Sequence, residues 1–143
     1  MRLEHISLVV ENIDDFAGVL RAIGFEIITK PVGDYNKNVN ASFIPVGEKD
    51  EIYLEVIEPI DERSAVYNFL KKTGGGLHHL CFEVDDIEKT SEELIEKGFT
   101  MVSPPTDCPA YDENLERVCQ GVTKISFFLL PNRLLIELLE KGR

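Results

Sequence analysis

The chain has 143 residues, of which 43% are apolar, and its 26 acidic and 15 basic side chains give a formal net charge of −11. A chain of this length can bury one core, so we expect a single domain over residues 1–143. The negative charge opposes binding to nucleic-acid phosphates and to anionic lipid, and we therefore exclude both as partners.

The first half begins with a β-branched run, His5 to Val10, that predicts a strand. Asn12 is a helix-capping residue, and we expect Gly24 to end the helix because glycine adopts the left-handed conformation at no steric cost. The apolar stripe of this helix consists of Ile13, Phe16, Ala17 and Leu20. Three further strands are predicted, over Phe25 to Thr29, Val39 to Val46 and Ile52 to Ile57.

An amphipathic stretch from Asp61 to Lys72, followed by the glycines at 74–76, predicts a linker helix with a glycine stop. The sequence from His79 to Ile87 then repeats that from His5 to Ile13 at a constant offset of 74 positions. The second half accordingly has a predicted helix with the stripe Ile87, Ser91, Leu94 and Ile95. Its later strands are predicted over Phe99 to Val102, Thr123 to Leu130 and Leu134 to Leu139.

The segment from Ser103 to Gln120 contains Pro104, Pro105 and Pro109 and shows no clear periodicity. We predict an irregular excursion there, and a loop of that length is either mobile or a lid over a binding site. The order βαβββ thus occurs twice. This predicts an α+β fold with module one at 1–60, the linker helix at 61–73 and module two at 74–143.

Each half has one histidine in its first strand and one glutamate inside its apolar last strand: His5 and Glu55, then His79 and Glu137. If the first and last strands of a module are neighbours, the two side chains lie on one sheet face within reach of one cation. Two imidazoles and two carboxylates suit Zn, Ni, Co, Mn or Fe(II) without selecting among them. The competing interpretation is that these four residues are ordinary surface or capping residues with no metal. It requires that the same histidine and glutamate pair arose by chance at equivalent positions of both halves.

Three further residues with aromatic rings, His78, Phe43 and Phe127, have predicted roles beside this metal site. Strand alternation predicts that His78 points away from His79 to the opposite face and is a structural, non-ligating histidine. Phe43 and Phe127 either line the substrate cup or only pack in the core.

The paired modules with this ligand order resemble the vicinal oxygen chelate superfamily of glyoxalases, bleomycin resistance proteins and dioxygenases. The resemblance covers nearly the whole chain. It is nearest to methylmalonyl-CoA epimerases over Glu55-Val56-Ile57-Glu58-Pro59 and from Gly75 to Ile87. It implies a glyoxalase-like cupped mixed sheet that binds one divalent metal and a small-molecule carbonyl substrate, commonly in a homodimer.

The resemblance implies an epimerase or isomerase that removes a proton α to a carbonyl through a metal-stabilised enolate. Glu137 is the expected ligand and general base, with Glu55 as the symmetric second candidate. Epimerases of this pattern have a catalytic glutamate where Asn36 stands here. The role of this catalytic glutamate would then fall to Glu55, to the nearby Asp34 or Tyr35, or to a one-base proton shuttle. The alternatives are a glyoxalase I-like lyase and a non-catalytic binding or resistance protein; a dioxygenase is more distant.

The sequence also bears on the cellular compartment. No run approaches the roughly 18 apolar residues of a spanning helix, and Met1 to His5 lacks the apolar core of a signal peptide. Cys81, Cys108 and Cys119 form no CxxC spacing, so we expect free thiols. These features predict a cytoplasmic protein.

Overall fold

The computed structural model describes residues 1–47 and 52–143, and it confirms the α+β fold with two βαβββ halves in one curled mixed sheet. The strands are β1 (Arg2–Val9), β2 (Val32–Asp34), β3 (Val39–Val46), β4 (Ile52–Pro59), β5 (Gly76–Glu83), β6 (Thr100–Asp107), β7 (Lys124–Leu130) and β8 (Leu134–Glu140). The helices are α1 (Ile13–Ala22), α2 (Ala65–Thr73), α3 (Ile87–Glu96) and α4 (Pro109–Asn114).

The sheet has the strand order β2-β3-β4-β1-β5-β8-β7-β6. In each half the first strand pairs in parallel with the last, β1 with β4 and β5 with β8. The two halves meet where β1 pairs antiparallel with β5. The four central strands, β4, β1, β5 and β8, are therefore the strands that contain the repeated histidines and glutamates.

The repeat extends to the way in which its two helices begin. The side chain of Asn12 accepts a hydrogen bond from Asp15 N at the start of α1, and that of Asp86 accepts one from Lys89 N at the start of α3. Gly24 and Gly98 follow these helices with positive φ angles of 114° and 89°. Both predicted helices and both glycine stops are confirmed. The linker helix is shorter than predicted, because Ser64 caps α2 and residues 61–64 form a turn.

Two predicted elements were wrong. Residues Phe25 to Thr29 do not form a strand; β2 lies further along, at Val32–Asp34. Two of its apolar residues, Phe25 and Ile28, pack instead against the core cluster that contains Leu20 and Ile44. Ile27 is 65% exposed. Residues that pack against the core without pairing to a strand can thus give the same apolar sequence pattern as a strand.

The segment 103–120 is not irregular throughout either, since only its end, residues 115–120, lacks a helix or strand of any length. Its first residues extend β6 as an edge strand on β7, with register shifts around Pro104 and Pro105. Proline is tolerated there because an edge strand leaves alternate N–H groups unpaired. Pro109 occupies the first turn of α4, where no N–H donor is needed. All three prolines therefore have regular positions.

The two edge strands approach each other through side chains and loops and close the curled sheet. Lys37 Nζ donates to Ser103 Oγ at 3.2 Å, and the Cys108 thiol lies 3.7 Å from Asp34 Oδ2. Helix α4 completes this seam, since Asn114 Nδ2 donates to Ala41 O at 2.6 Å. The seam therefore lies across the cup from the central strands. Within the described ranges, no helix is long and apolar enough to cross a membrane.

Candidate metal centre

The four predicted ligands converge on the concave face of the central strands. Glu55 is paired with Ser7 across β4 and β1, so it lies two positions along from His5 on the same face. Glu137 is paired with Cys81 across β8 and β5, which places it in the same relation to His79. Potential ligand atoms of His5, Glu55, His79 and Glu137 all lie within 4.8 Å of one another.

The distances describe two imidazoles and two carboxylates aimed at one point. His5 Nε2 lies 3.6 Å from Glu55 Oε1 and 3.4 Å from Glu137 Oε2. His79 Nε2 lies 3.7 Å from Glu55 Oε1 and 2.8 Å from Glu137 Oε2. Ser7 Oγ donates to Glu55 Oε1 at 2.8 Å and helps to hold that carboxylate in place.

The donor set fits a divalent cation. Both Nε2 atoms are buried without a well-aligned hydrogen-bond partner, and a buried polar atom left unsatisfied costs about 1–3 kcal/mol. His5, His79 and Glu137 are 1%, 5% and 5% exposed. A cation between two imidazole nitrogens and two carboxylate oxygens would satisfy both orphaned atoms and compensate for the buried negative charge.

The pKa values of the cluster reflect burial and mutual charge. Burial raises the pKa of Glu55, whereas hydrogen bonds and charge from the two imidazoles lower the pKa of Glu137 against the effect of burial. Burial works to lower the pKa of His5, yet its interactions with Cys81, Glu55 and Glu137 raise that pKa well above its usual value. A proton on His5 would compete with a metal ion for the same site.

Each of the two predicted histidine ligands follows a β-bulge residue. Leu3 pairs with Phe82 and His5 with Cys81, so Glu4 is the extra residue in β1; likewise His78 is extra in β5. The bulges suspend side-chain alternation. His78 Nδ1 therefore lies 2.8 Å from His79 Nδ1, and the His78 ring lines the same cavity. The prediction that His78 points to the opposite face was wrong for this reason, although His78 does not belong to the four-residue ligand group.

The bulged residue Glu4 was not singled out in the sequence. Its side chain is 1% exposed; one carboxylate oxygen contacts His5 Nδ1, and the other accepts a hydrogen bond from the Tyr111 hydroxyl. The carboxylate occupies Nδ1 and leaves His5 Nε2 free for a cation. The 74-residue offset relates Glu4 to His78 and could have revealed the pair, since both precede a repeated histidine.

Phe43 and Phe127 both line the cavity and belong to the hydrophobic packing around it. Phe43 is the cross-strand partner of Glu55 and packs edge-on against the His5 ring, with centroids 5.5 Å apart. Phe127 has the same relation to Glu137 and His79, at 5.2 Å. The two alternative roles of these residues are therefore both realised.

The cavity has a volume of about 220 Å³ and lies between the four central strands and the seam. Its wall is largely apolar, as in most small-molecule sites. Asp34 and Lys37 line it, whereas Tyr35 is 84% exposed and Asn36 is exposed in the turn between β2 and β3. Of the two neighbours considered as replacements for a base at position 36, Asp34 is the one that reaches the cavity.

The fold and this concave site define a member of a known class. The chain belongs to the Glyoxalase/Bleomycin resistance protein/Dioxygenase superfamily, whose family model matches residues 4–119. This confirms the superfamily resemblance.

Within this superfamily, the chain is similar in sequence to known epimerases. The chain is 26% identical over 144 residues to the mitochondrial methylmalonyl-CoA epimerase of Dictyostelium discoideum, covering 98% of the chain and 78% of that protein. It is 31% identical over 99 residues to the ethylmalonyl-CoA/methylmalonyl-CoA epimerase of Cereibacter sphaeroides, covering 68% of the chain and 71% of the relative. The prediction of an epimerase-like enzyme is confirmed by these relatives.

Solved structures agree with the fold. A variant of the Streptomyces coelicolor methylmalonyl-CoA epimerase in complex with 2-nitronate-propionyl-CoA superposes with a TM-score of 0.77 at 25% identity. The match covers 100% of the chain and 99% of that structure. The glyoxalase-like sheet is thus common to this chain and to an epimerase that binds an acyl-CoA analogue.

Proposed function

We propose that the chain is a divalent-metal-dependent epimerase that removes and returns a proton on the carbon next to a carbonyl. The observation that carries the proposal is the convergence of His5, Glu55, His79 and Glu137 in a largely apolar cavity. The epimerase relatives support the reaction type and suggest a malonyl-type CoA thioester as substrate.

The four converging side chains would hold the metal through the two free Nε2 atoms and the two carboxylates. The ion would supply positive charge that stabilises the oxygen of the enolate, an effect worth several kcal/mol of barrier. The donor set accommodates Zn, Ni, Co, Mn or Fe(II). With two histidines and two carboxylates as protein ligands, such an ion would still be able to bind oxygens of a substrate.

Glu137 is the proposed general base, and Glu55 is its symmetric alternative. Glu137 borders the cavity, is 5% exposed and lies closest to the imidazole nitrogens. A carboxylate in this position can accept the α-proton while the apolar wall, including Phe127 and Phe43, excludes water from the reacting carbon.

The test is hydrogen exchange in deuterated water. Metal-loaded protein should catalyse the incorporation of deuterium from the solvent at the α-carbon of methylmalonyl-CoA or ethylmalonyl-CoA. Mass spectrometry of the thioester measures this incorporation. Glu137→Gln should lower the rate about 100-fold or more because the amide cannot accept the proton. Glu11→Gln, a matched change at an exposed position, should leave the rate unchanged. Wild-type protein that exchanges no proton of either thioester would contradict the proposal.

We also propose that the protein is cytoplasmic and forms a homodimer, as the resemblance implies. The glyoxalase I-like lyase and the non-catalytic binding protein remain the alternatives to an epimerase. A lyase would convert a hemithioacetal, and a binding protein would bind ligand without exchange. Elemental analysis and sedimentation of the purified protein test the metal and the dimer.

A further inference from the structure

We propose, on the basis of the proposed function, that Asp34 is the second proton-transfer group, acting on the substrate face opposite Glu137, and that the Cys108 thiol positions its carboxylate. Inversion at a carbon needs a proton to leave from one face and return to the other. Asp34 lines the cavity, whereas Asn36 is exposed in the neighbouring turn, and its amide could not act as this base in any case.

The sheet places Asp34 and Glu137 on opposite sides of the cavity. Glu137 belongs to β8, one of the four central strands that form the floor. Asp34 ends the edge strand β2, and its carboxylate contacts Cys108, which follows the other edge strand, β6. Both seam residues line the same cavity as the four converging ligands. A substrate bound on the floor would therefore have its other face toward Asp34.

Local contacts hold the Asp34 carboxylate in a defined orientation. Its Oδ1 accepts hydrogen bonds from the backbone N–H groups of Asn36 and Lys37, at 3.0 and 3.2 Å. Its Oδ2 faces the Cys108 sulfur at 3.7 Å. One oxygen is thus fixed by the turn, and the other is directed to the interior by a thiol donor.

The Cys108 thiol lies 3.7 Å from Asp34 Oδ2 and lines the same cavity as Glu137. The pKa of Cys108 is raised first by burial and then by the negative charges of Asp34, Glu137 and Glu55. The thiol therefore stays protonated and acts as a donor toward Asp34. Among the described residues that line the cavity, Asp34 is the carboxylate outside the group of four ligands.

The proposed steps conserve protons, because one carboxyl group takes a proton from the substrate and the other gives one back. From one enantiomer, Glu137 as carboxylate takes the α-proton, and the C–H electron pair enters the enolate. Asp34 as carboxylic acid gives its O–H proton to the opposite face of that carbon. From the other enantiomer, Asp34 takes the proton and Glu137 returns one. No oxidant or other reactant is needed.

The experiment compares exchange with inversion, starting separately from (2R)- and (2S)-methylmalonyl-CoA in deuterated water. Asp34→Asn keeps an oxygen for the two backbone donors of the turn, so the fold should persist. We expect it to retain metal and to bind 2-nitronate-propionyl-CoA as wild type does. It should still exchange the α-hydrogen of one enantiomer with retention, while interconversion falls about 100-fold or more. Asp85→Asn, at an exposed site, is the control.

Cys108 has its own test, since its proposed role is positioning. Cys108→Ala should slow interconversion without changing metal content, and Cys108→Ser should restore much of the rate because a hydroxyl can donate to Asp34 Oδ2. Equal rates in both Cys108 variants would overturn that role. Interconversion by Asp34→Asn at the wild-type rate, or loss of metal and nitronate binding together with activity, would overturn the Asp34 assignment. Absence of exchange in wild type would instead remove the proposed function itself.

Discussion

At the scale of single residues, the Nδ1 atom of each proposed histidine ligand is occupied by the side chain immediately before it in sequence. Glu4 contacts His5, and His78 contacts His79. Both contacts depend on β-bulges, which turn consecutive side chains toward the same side of the sheet. The imidazole rings are thereby held with Nε2 toward the cavity. The two contacts differ chemically, because a carboxylate orients His5 while an imidazole orients His79.

Glu4→Gln should weaken metal binding while the protein remains folded. The amide keeps the shape of the side chain but removes the negative charge that supports His5 as a ligand. Loss of such a partner costs about 10- to 100-fold in metal affinity. Competition with a chromophoric chelator measures this affinity directly. An affinity equal to that of the matched variant Glu11→Gln would contradict the role of Glu4.

At the scale of elements, the sequence predictions were most accurate where the hydrophobic pattern and the capping residues indicated the same boundaries. β3 has the predicted bounds, and α1 and α3 begin after the predicted caps Asn12 and Asp86. The strand prediction for residues 25–29 was wrong because Phe25 and Ile28 pack against the core without strand pairing. The stripe of α3 was partly wrong, since Ile95 is 48% exposed.

Helix α4 was missed because six residues are too few for a helical period to show. Its link to the rest of the fold is Asn114, which is 5% exposed, donates to Ala41 O and contacts Thr29 Oγ1. These bonds tie α4 to the first half of the sheet. No local pattern predicts such a contact between residues so far apart in the chain.

Asn114→Ala should destabilise the protein by about 1–3 kcal/mol, because the carbonyl of Ala41 would lose its buried donor. Urea unfolding monitored by circular dichroism gives this free energy of unfolding. Asn36→Ala changes the same residue type at an exposed turn position and should have little effect. Equal free energies of unfolding for the two variants would show that α4 is not fastened through Asn114.

At the scale of the whole molecule, one carboxylate links the first strand to a residue that follows the last. Glu83 Oε2 lies 2.9 Å from both Arg2 Nη2 and Lys141 Nζ. Burial alone would raise the pKa of Glu83, but the hydrogen bonds and charges of Lys141 and Arg2 lower it. These ion pairs therefore stabilise the fold when Glu83 is ionised.

The sign of the pH effect follows from this lowered pKa. Glu83 contributes stability above the unfolded-state pKa of about 4.3, and the contribution is lost as pH falls through the lower folded-state pKa. A partly exposed pair contributes about 1 kcal/mol or less. Glu83→Gln should reduce the free energy of unfolding at neutral pH and reduce its decline in acid. Parallel curves for wild type and variant would contradict this link.

The whole-molecule symmetry explains why so much of the candidate site could be predicted. The 74-residue repeat located His5 and His79, and the apolar last strands singled out Glu55 and Glu137. Neither sequence signal predicts that the two edge strands meet. The positions of Asp34 and Cys108 across the cavity could therefore be found only from the structure. The division into modules at 60 and 74 stays a proposal about the chain's organisation.

The most direct test of the metal centre is a crystal structure of the protein prepared with cobalt, with diffraction recorded at the cobalt absorption edge. An anomalous peak should lie between His5 Nε2 and His79 Nε2, within about 2.2 Å of each nitrogen and of carboxylate oxygens from Glu55 and Glu137. An anomalous map with no peak among these four side chains, in crystals that contain cobalt elsewhere, would contradict the account.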